Sequence, residues 1–262
     1  MNAIVGSHDV VFMVLDALRY DVATDAMARG ETPSFERLIG SWERRLTPAC
    51  FTYAAHHAFF AGFLPVPHEP GIHPRPFACA FEGSQTIHQN THVFDAPDIV
   101  SGFASAGYRT VCIGGVGFFN LATPLGRVLP AFFQESHFDR CFGVTDPKCA
   151  ENVFELAARI LDESREEQRV FLYVNVAAIH QPNYFYAEGR SSDDLGTHRA
   201  ALRYVDRCVP VLEAAIRRRP RVFGIVCSDH GTAYGEDGYI GHRAPHPIVN
   251  TVPYAEAEWH NP

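Results

Sequence analysis

The sequence predicts an α/β fold with a mostly parallel central sheet and helices on both faces. Three apolar runs, at residues 10–15, 170–176 and 222–227, are continuous rather than alternating, which is typical of strands buried on both faces of a parallel sheet. Stretches with helical periodicity separate these runs, and a strand–helix–strand order produces parallel neighbours. With 262 residues, 47% of them hydrophobic, the chain is expected to form a single domain over residues 1–262.

Composition narrows the possible classes of protein. The longest apolar runs are shorter than the ~18 residues that a membrane-spanning helix needs, and the formal net charge of −8 argues against nucleic acid as a partner. The seven cysteines include no Cys-x-x-Cys pair and their number is odd, which favours a reducing compartment over a disulfide framework. We therefore expect a cytoplasmic protein that acts on a small molecule; no pattern indicates an oligomeric state.

The first strand, at residues 10–15, ends at Asp16. A helix is expected at 32–39, because Pro and Ser occupy its first turn.

The next helical pattern is the Ala- and Phe-rich run at 54–61, which stops at Gly62, a residue common at the C′ position. Thr52 lies at or just before the start of this helix, where backbone N–H groups and the helix dipole favour an anion. The stretch at 65–95 is rich in Pro, Gly and His and shows no clean period. We interpret it as a long loop or cover.

Helical and strand patterns alternate in the second half of the chain. Helical patterns lie at 98–106, 151–168 and 198–219, and apolar strand patterns at 107–114, 170–176 and 222–227. The 170–176 run leads to His180, and the 222–227 run leads to Asp229 and His230. A turn-rich segment then contains His242 and His246.

Polar side chains therefore follow three predicted parallel strands. Ligands of open α/β sheets lie beyond the carboxyl ends of the strands, so Asp16, His180 and the Asp229–His230 pair are expected at the same edge. Carboxylates and neutral imidazoles are good ligands for a divalent ion. Each residue also has a structural interpretation: Asp16 and Thr52 could be helix N-caps. Convergence at one edge favours a functional site.

Four stretches carry motifs whose order and spacing are informative. They are Asp16-Ala-Leu-Arg-Tyr-Asp21 with Thr32-Pro-Ser-Phe-Glu-Arg-Leu38; Thr52 with His56 and Gly62; Gly107-Tyr-Arg-Thr110; and Ser228-Asp-His-Gly231 followed by Gly235-Glu-Asp-Gly238, Gly241-His242 and Val252-Pro253. Together they resemble the alkaline phosphatase superfamily, and within it the sulfatase-like branch. The second stretch is similar to a segment of the nucleotide pyrophosphatase/phosphodiesterase relatives, with Ala54 in place of a proline.

The resemblance implies a metal-dependent enzyme with Thr52 as its catalytic nucleophile. The residues it assigns to the metal are Asp16, Thr52, Asp229 and His230. His180 and His242 would contact the phosphate catalytically or hold a second metal, and His246 is a further candidate for that role. A mixed oxygen and nitrogen shell suits Zn²⁺ or Mn²⁺, as one or two ions; no organic cofactor is implied.

Departures from the sulfatase pattern favour phosphate over sulfate esters. Sulfatases carry a Cys or Ser that becomes formylglycine, followed by an Arg, whereas this chain has Thr52-Tyr-Ala-Ala-His56. Gly115 follows Gly114 where sulfatases have a lysine, and Ala17 follows Asp16, which removes one ligand of the sulfatase calcium.

The first hypothesis is a metal-dependent phosphoric ester hydrolase, of phosphatase or phosphodiesterase type, that forms a covalent phospho-Thr52 intermediate. One alternative is a sulfatase-like hydrolase, or a phosphoryl-group transferase or mutase, at the same site. Another, from a different class, is a non-catalytic relative that binds a metal or a phosphorylated metabolite. The loops at 65–90 and 183–190 are expected to form the substrate pocket.

Overall fold

The computed structural model describes residues 3–62 and 98–260, together with the backbone of two short strands between these ranges. Apart from those two strands, the predicted loop or cover at 65–95 lies outside the described residues. In the part of the chain that is described, no helix is long and apolar enough to cross a bilayer.

The strands and helices occur in the following order. The strands are β1 (Asp9–Leu15), β2 (Glu43–Leu46), β3 (Phe77–Ala78), β4 (His92–Val93), β5 (Arg109–Ile113), β6 (Glu135–His137), β7 (Val170–Val176), β8 (Arg221–Cys227), β9 (Ala233–Tyr234), β10 (Ile240–Gly241) and β11 (Thr251–His260). The α-helices are α1 (Tyr20–Ala28), α2 (Pro33–Ile39), α3 (Thr52–Ala61), α4 (Ile99–Ser105), α5 (Cys149–Glu163), α6 (Leu195–Ile216) and α7 (Pro247–Asn250). Short 3₁₀ helices span Gly117–Phe119, Leu125–Arg127, Pro130–Phe132, Arg140–Phe142, Ala177–Ile179, Tyr184–Tyr186 and Glu236–Gly238.

The central sheet is mixed but mostly parallel. Within the described residues it has seven strands in the order β2-β11-β8-β1-β7-β5-β6. The five strands from β8 to β6 are mutually parallel, and β11 runs antiparallel to both β8 and β2. The predicted fold class is confirmed.

Helices cover both faces of the sheet because side chains alternate along buried strands. Val11, Met13 and Leu15 of β1 pack in one core with residues of α1, α2, α5 and α6. Val10 and Phe12 point the other way, into a second and more aromatic core with residues of α3 and α4. All seven residues of β1 and all seven of β7 are buried, as their continuous apolar runs predicted.

The antiparallel strand β11 was not predicted. Pro253 and two glutamates interrupt its apolar character, so it carries no continuous run of the kind found in β1. A period-two pattern is nevertheless present, since Ala255 and Trp259 are buried whereas Glu256 and Glu258 are exposed. Such alternation is expected of a strand with one face towards solvent.

Candidate active site

Three neighbouring strands deliver polar residues to one edge of the sheet. Asp16 follows β1, Asp229 and His230 follow β8, and His180 follows β7 after one 3₁₀ turn. Because β1 lies between β7 and β8, their carboxyl ends are adjacent. The Asp16 N–H also donates to the carbonyl of Val176, at 3.0 Å, so the exits of β1 and β7 are joined directly.

Four side chains converge beyond these strand ends. His230 Nε2 lies 3.7 Å from Asp16 Oδ1 and 3.6 Å from Asp229 Oδ2. The Thr52 hydroxyl, from the first residue of α3, lies 3.2 Å from the same nitrogen. One ligand atom each from Asp16, Asp229 and His230 fall within 4.8 Å of one another, and all three residues are buried.

Each aspartate in this cluster has one satisfied oxygen and one unsatisfied oxygen. Asp16 Oδ2 accepts from Asn175 Nδ2 at 3.1 Å, and Asp229 Oδ1 accepts from the Ala17 N–H at 3.2 Å. No hydrogen-bond donor among the described residues reaches Asp16 Oδ1 or Asp229 Oδ2, although both atoms are buried. Because a buried acceptor without a partner is costly, the two oxygens that face His230 are suited to a cation.

The electrostatics of the cluster also favour a cation. Burial raises the pKa of Asp229 to about 6, and burial together with the charge of Asp229 raises the pKa of Asp16. Burial lowers the pKa of His230, so its ring is neutral and able to act as a ligand. Two buried carboxylates this close repel each other when ionised. A bound divalent ion would offset this repulsion.

The orientation of His230 is determined by its second ring nitrogen. Nδ1 lies 2.9 Å from the carbonyl of Gly231, an acceptor only, so Nδ1 carries the proton and Nε2 presents a lone pair to the cluster. Gly231 is itself held against α7, where an added Cβ would lie 2.3 Å from the carbonyl oxygen of Ile248. Glycine is therefore required for the close packing that aims His230.

Thr52 begins α3, as predicted, and that helix ends at Gly62 in a left-handed conformation (φ 76°). His56 lies one turn further on and links the first turn of α3 to strand β7. Its Nδ1 donates to the Thr52 carbonyl at 2.6 Å, and its Nε2 accepts from the Tyr173 hydroxyl of β7. Burial lowers the pKa of His56 to about 3, so this link is made by a neutral ring.

Two further predicted residues, His180 and His242, lie beside His230. The rings of His230 and His242 are stacked with centroids 4.5 Å apart, and the His180 and His242 centroids are 5.1 Å apart. His180 Nδ1 donates to the Gln181 carbonyl at 2.5 Å, which leaves its Nε2 available. Burial lowers the pKa of His242 to about 3.

His246 has a different environment. Its Nε2 lies 3.0 Å from Asp237 Oδ2, and its Nδ1 accepts from the Ile248 N–H at 3.2 Å as the N-cap of α7. Both ring nitrogens are thus engaged outside the cluster.

A cavity of about 630 Å³ opens from the cluster. Among the described residues, its lining is Thr52, Gly115, Val116, Gly117, Phe118, Leu125, Phe138, Arg140, Gly143, Val144, Thr145, His180, His242 and Arg243. The predicted pocket segment at 183–190 does not contribute to this lining, and the segment at 65–90 is outside the described residues apart from β3. The loops that follow β5 and β6 form the wall instead.

Sequence reasoning missed several residues of the site. Asn175, fully buried in β7, joins Asp16 to the Gly115 N–H, which lies 3.3 Å from Asn175 Oδ1. Arg140 and Arg243 line the cavity. A signal was available only for Asn175, the one amide within the otherwise apolar run Val170–Val176.

Comparisons with known proteins identify similar folds. No protein-family model matches the sequence, and no curated protein matches it. The chain is similar to the lipoteichoic acid synthase LtaP from Listeria monocytogenes, with TM-score 0.65 and 13% identity over 97% of this chain and 66% of LtaP. It is similar to the C-terminal periplasmic domain of EcEptC from Escherichia coli, solved with Zn, with TM-score 0.68 and 13% identity over 97% and 72% of the two chains. A protein in the alkaline phosphatase superfamily from Vibrio parahaemolyticus gives TM-score 0.57 and 15% identity over 96% and 60%.

The Vibrio parahaemolyticus protein is described as a member of the alkaline phosphatase superfamily, the superfamily that the motifs resemble. The protein therefore has the alkaline phosphatase/sulfatase-like fold, as predicted. It spans about two thirds of the length of LtaP, 66%.

Proposed function

We propose that this protein is a metal-dependent phosphoric ester hydrolase, of phosphatase or phosphodiesterase type, with Thr52 as its nucleophile. The observation that carries the proposal is the convergence of two unsatisfied buried oxygens, Asp16 Oδ1 and Asp229 Oδ2, on His230 Nε2. The Thr52 hydroxyl lies against the same nitrogen.

The donor set fits a divalent ion. Asp16, Asp229 and His230 would hold it, with Thr52 beside them; zinc or manganese suits these ligands, and His180 with His242 would hold any second ion. In tetrahedral zinc sites with bonds of about 2.0–2.1 Å, neighbouring ligand atoms are about 3.3 Å apart. The distances from His230 Nε2 to the other three groups, 3.2, 3.6 and 3.7 Å, are close to that spacing. A bound ion would lower the pKa of the Thr52 hydroxyl and offset the negative charge of the phosphate.

The chain's own residues supply the rest of the chemistry. Thr52 Oγ1 attacks phosphorus, an O–P bond forms, and the opposite P–O bond breaks. The departing alcohol takes the proton that Thr52 loses, with His180 and His242 in the same cavity to carry it. Water then attacks phosphorus, the P–O bond to Thr52 breaks, and the Thr52 oxygen takes a proton from the water as phosphate, or a phosphate monoester from a diester, is released. The first turn of α3, which no described side chain caps, presents N–H groups for the phosphate oxygens.

A metal-free Thr52–His230 pair, acting as nucleophile and general base, is the obvious competing interpretation. The 3.2 Å contact and the Nδ1–Gly231 hydrogen bond suit such a pair. It leaves the unsatisfied oxygens of Asp16 and Asp229 unexplained, however, since neither is bonded to His230 Nδ1. A cation held by Asp16, Asp229 and His230 beside Thr52 accounts for the positions of all four side chains. We therefore favour the metal-dependent mechanism.

A phosphoryl-group transferase at the same site is the second candidate function. It is favoured by the neighbours, which include a lipoteichoic acid synthase and a phosphoethanolamine transferase. An acceptor alcohol would replace water in the second step, so product analysis with an added alcohol separates the two reactions. Rates on matched aryl phosphate and aryl sulfate esters test the sulfatase-like alternative.

The partner that we propose is a small-molecule phosphate ester. The net charge of −8 argues against nucleic acid, and the shortness of the apolar runs argues against a membrane. A cytoplasmic location is proposed from the cysteine pattern.

The test is turnover of an aryl phosphate monoester and diester by protein loaded with zinc or manganese. Thr52→Ala should abolish turnover while metal content stays near that of the wild type, and Thr52→Ser should retain part of it. Thr24→Ala, on the outer part of α1, is the matched control. Wild-type rates in Thr52→Ala would refute the mechanism, and metal binding with no turnover of any ester would favour a non-catalytic relative.

A further inference from the structure

The cavity is much larger than a phosphate group requires. Its volume of about 630 Å³ falls in the range of about 300–1,000 Å³ that encloses drug-sized ligands. Thr52, His180 and His242 belong to its lining. The remaining volume is available to the alcohol portion of an ester.

The wall formed by the loops after β5 and β6 is mainly apolar. Its apolar side chains are Val116, Phe118, Leu125, Phe138 and Val144. The two loops that carry most of them are in backbone contact: an added Cβ on Gly115 would lie 2.5 Å from the carbonyl oxygen of Phe142. The Gly115 N–H is also bonded to Asn175, so this wall is tied to the residue that holds Asp16.

Arg140 is the charged residue of that wall. It begins the 3₁₀ helix after β6, and β6 is three strands from β1 in the sheet. Its backbone packs on the loop after β5, since a Cβ added to Gly143 would lie 3.2 Å from the Arg140 carbonyl oxygen and 3.5 Å from the Gly115 carbonyl oxygen. Arg140 is exposed, and no described carboxylate lies within 4.0 Å of its guanidinium. The nearest in sequence, Asp139, accepts from the Cys141 N–H at 2.9 Å; hydrogen bonds from Cys141, together with the charge of Arg140, lower the pKa of Asp139.

We propose that Arg140 forms a leaving-group subsite that binds an anionic oxygen group at the far end of the substrate's alcohol. The substrate class is then a phosphate ester whose alcohol has an apolar body and carries an anion. A guanidinium suits this role because its planar donors match an oxyanion with two hydrogen bonds. The inference rests on the proposed function for the position of the scissile phosphate.

The experiment compares biphenyl-4-yl phosphate carrying a 4′-carboxylate with the same ester carrying a 4′-carboxamide. The two have the same shape and differ in the charge of the distal group. In the wild type, kcat/KM should be about tenfold higher for the carboxylate, the effect of one exposed charge-assisted hydrogen bond. Arg140→Ala should remove this preference, and Arg140→Glu should reverse it. Arg207→Ala, at an exposed arginine of α6, should keep it.

Two results would overturn the inference: no preference in the wild type, or a preference that persists in Arg140→Ala. Turnover of both esters in either case leaves the proposed function intact. If neither ester is turned over, calorimetric binding of the two matching phosphonates decides the question. A carboxylate preference that depends on Arg140 would support the subsite without hydrolysis, and equal binding of the two phosphonates would exclude it.

Discussion

The two ends of strand β1 present a buried aspartate each, and the two are satisfied differently. Asp9 begins the strand and Asp16 follows it, and both are completely buried. Asp9 accepts from the Val170 N–H at 2.9 Å and from Arg219 Nε at 2.6 Å, so both of its oxygens are bonded. Asp16 has an oxygen without a donor among the described residues.

The Arg219 guanidinium makes the amino end of the sheet a closed polar network. Besides Asp9, it donates to the carbonyls of Ser164, Arg165 and Gln168. These interactions hold the chain after α5, which ends at Glu163 rather than continuing to residue 168 as predicted. Burial of a carboxylate is therefore no sign of function by itself. The distinguishing feature at the carboxyl end is the unsatisfied oxygen.

The largest expected difference is between Asp16→Asn and Asp9→Asn. Asp16→Asn should lower kcat/KM by about 10³-fold or more, since it removes a ligand of the reacting centre, and it should leave the metal-free protein at least as stable as the wild type because a buried charge is lost. Asp9→Asn should instead lower the free energy of unfolding by about 3 kcal/mol, as expected when a buried ion pair is broken.

Steady-state kinetics and urea unfolding of both variants measure these effects. The comparison fails if Asp16→Asn destabilises the metal-free protein as much as Asp9→Asn does.

Metal binding should stabilise the protein through the residues at the carboxyl end of β1 and not through those at its amino end. At a free zinc concentration 100 times Kd, the free energy of unfolding rises by about 2.7 kcal/mol, which is about 5–10 °C in Tm for a chain of this size. A chelator should reverse the shift. The zinc-induced rise in Tm should be small in Asp229→Asn, whereas Asp9→Asn should retain it. Differential scanning calorimetry with and without zinc makes the measurement, and an equal shift in Asp229→Asn would place the ion elsewhere.

Two buried tyrosines extend the comparison. Tyr173→Phe removes the hydroxyl that donates to His56, so the His56 ring loses the bond that orients it towards the Thr52 carbonyl. We expect kcat to fall about tenfold with KM little changed, because Thr52 is less well positioned. Tyr108→Phe is the control at the amino end, where the phenol donates to the His8 carbonyl at 2.7 Å. It should reduce stability and leave kcat unchanged; similar kcat losses in both variants would contradict a positioning role for His56.

The smallest expected effect is a pH dependence of the free energy of unfolding that arises from a buried histidine outside the metal cluster. His198 of α6 is buried, and burial lowers its pKa to about 3. Between that value and about 6.5 the unfolded chain binds one more proton than the folded chain at this residue, so stability is lost as the pH falls below about 6.5. The slope contributed is at most about 1.4 kcal/mol per pH unit.

His198→Gln should make the dependence shallower by that amount. Urea unfolding of both proteins at pH 7 and pH 5.5 tests this, and parallel curves would show that His198 does not contribute.

Residues at the ends of long strands were predictable, whereas the surroundings that make them a site were not. The apolar runs at 10–15 and 222–227 locate Asp16 and Asp229, because the pattern of a buried strand is local in sequence. Which carboxylate oxygen is left unsatisfied depends on Asn175 and the Ala17 N–H, contacts made across 159 and 212 residues.

The cavity wall could not be predicted from the sequence either. Gly114–Gly117 shows no recognisable motif, yet Gly115 permits the backbone contact with Phe142 that closes the wall. Arg140 lies in a short 3₁₀ helix with no periodic pattern, so only the order of β5 and β6 in the sheet brings it to the cavity.

Trapping the covalent intermediate tests the central claim most directly. Metal-loaded protein is mixed with an aryl phosphate, quenched in acid and digested, and the peptide containing Thr52 is analysed by mass spectrometry. We predict one added phosphoryl group on Thr52 in the wild type, and none in Asp229→Asn or after chelation. Turnover with phosphate on no residue, or on a residue other than Thr52, would contradict the account.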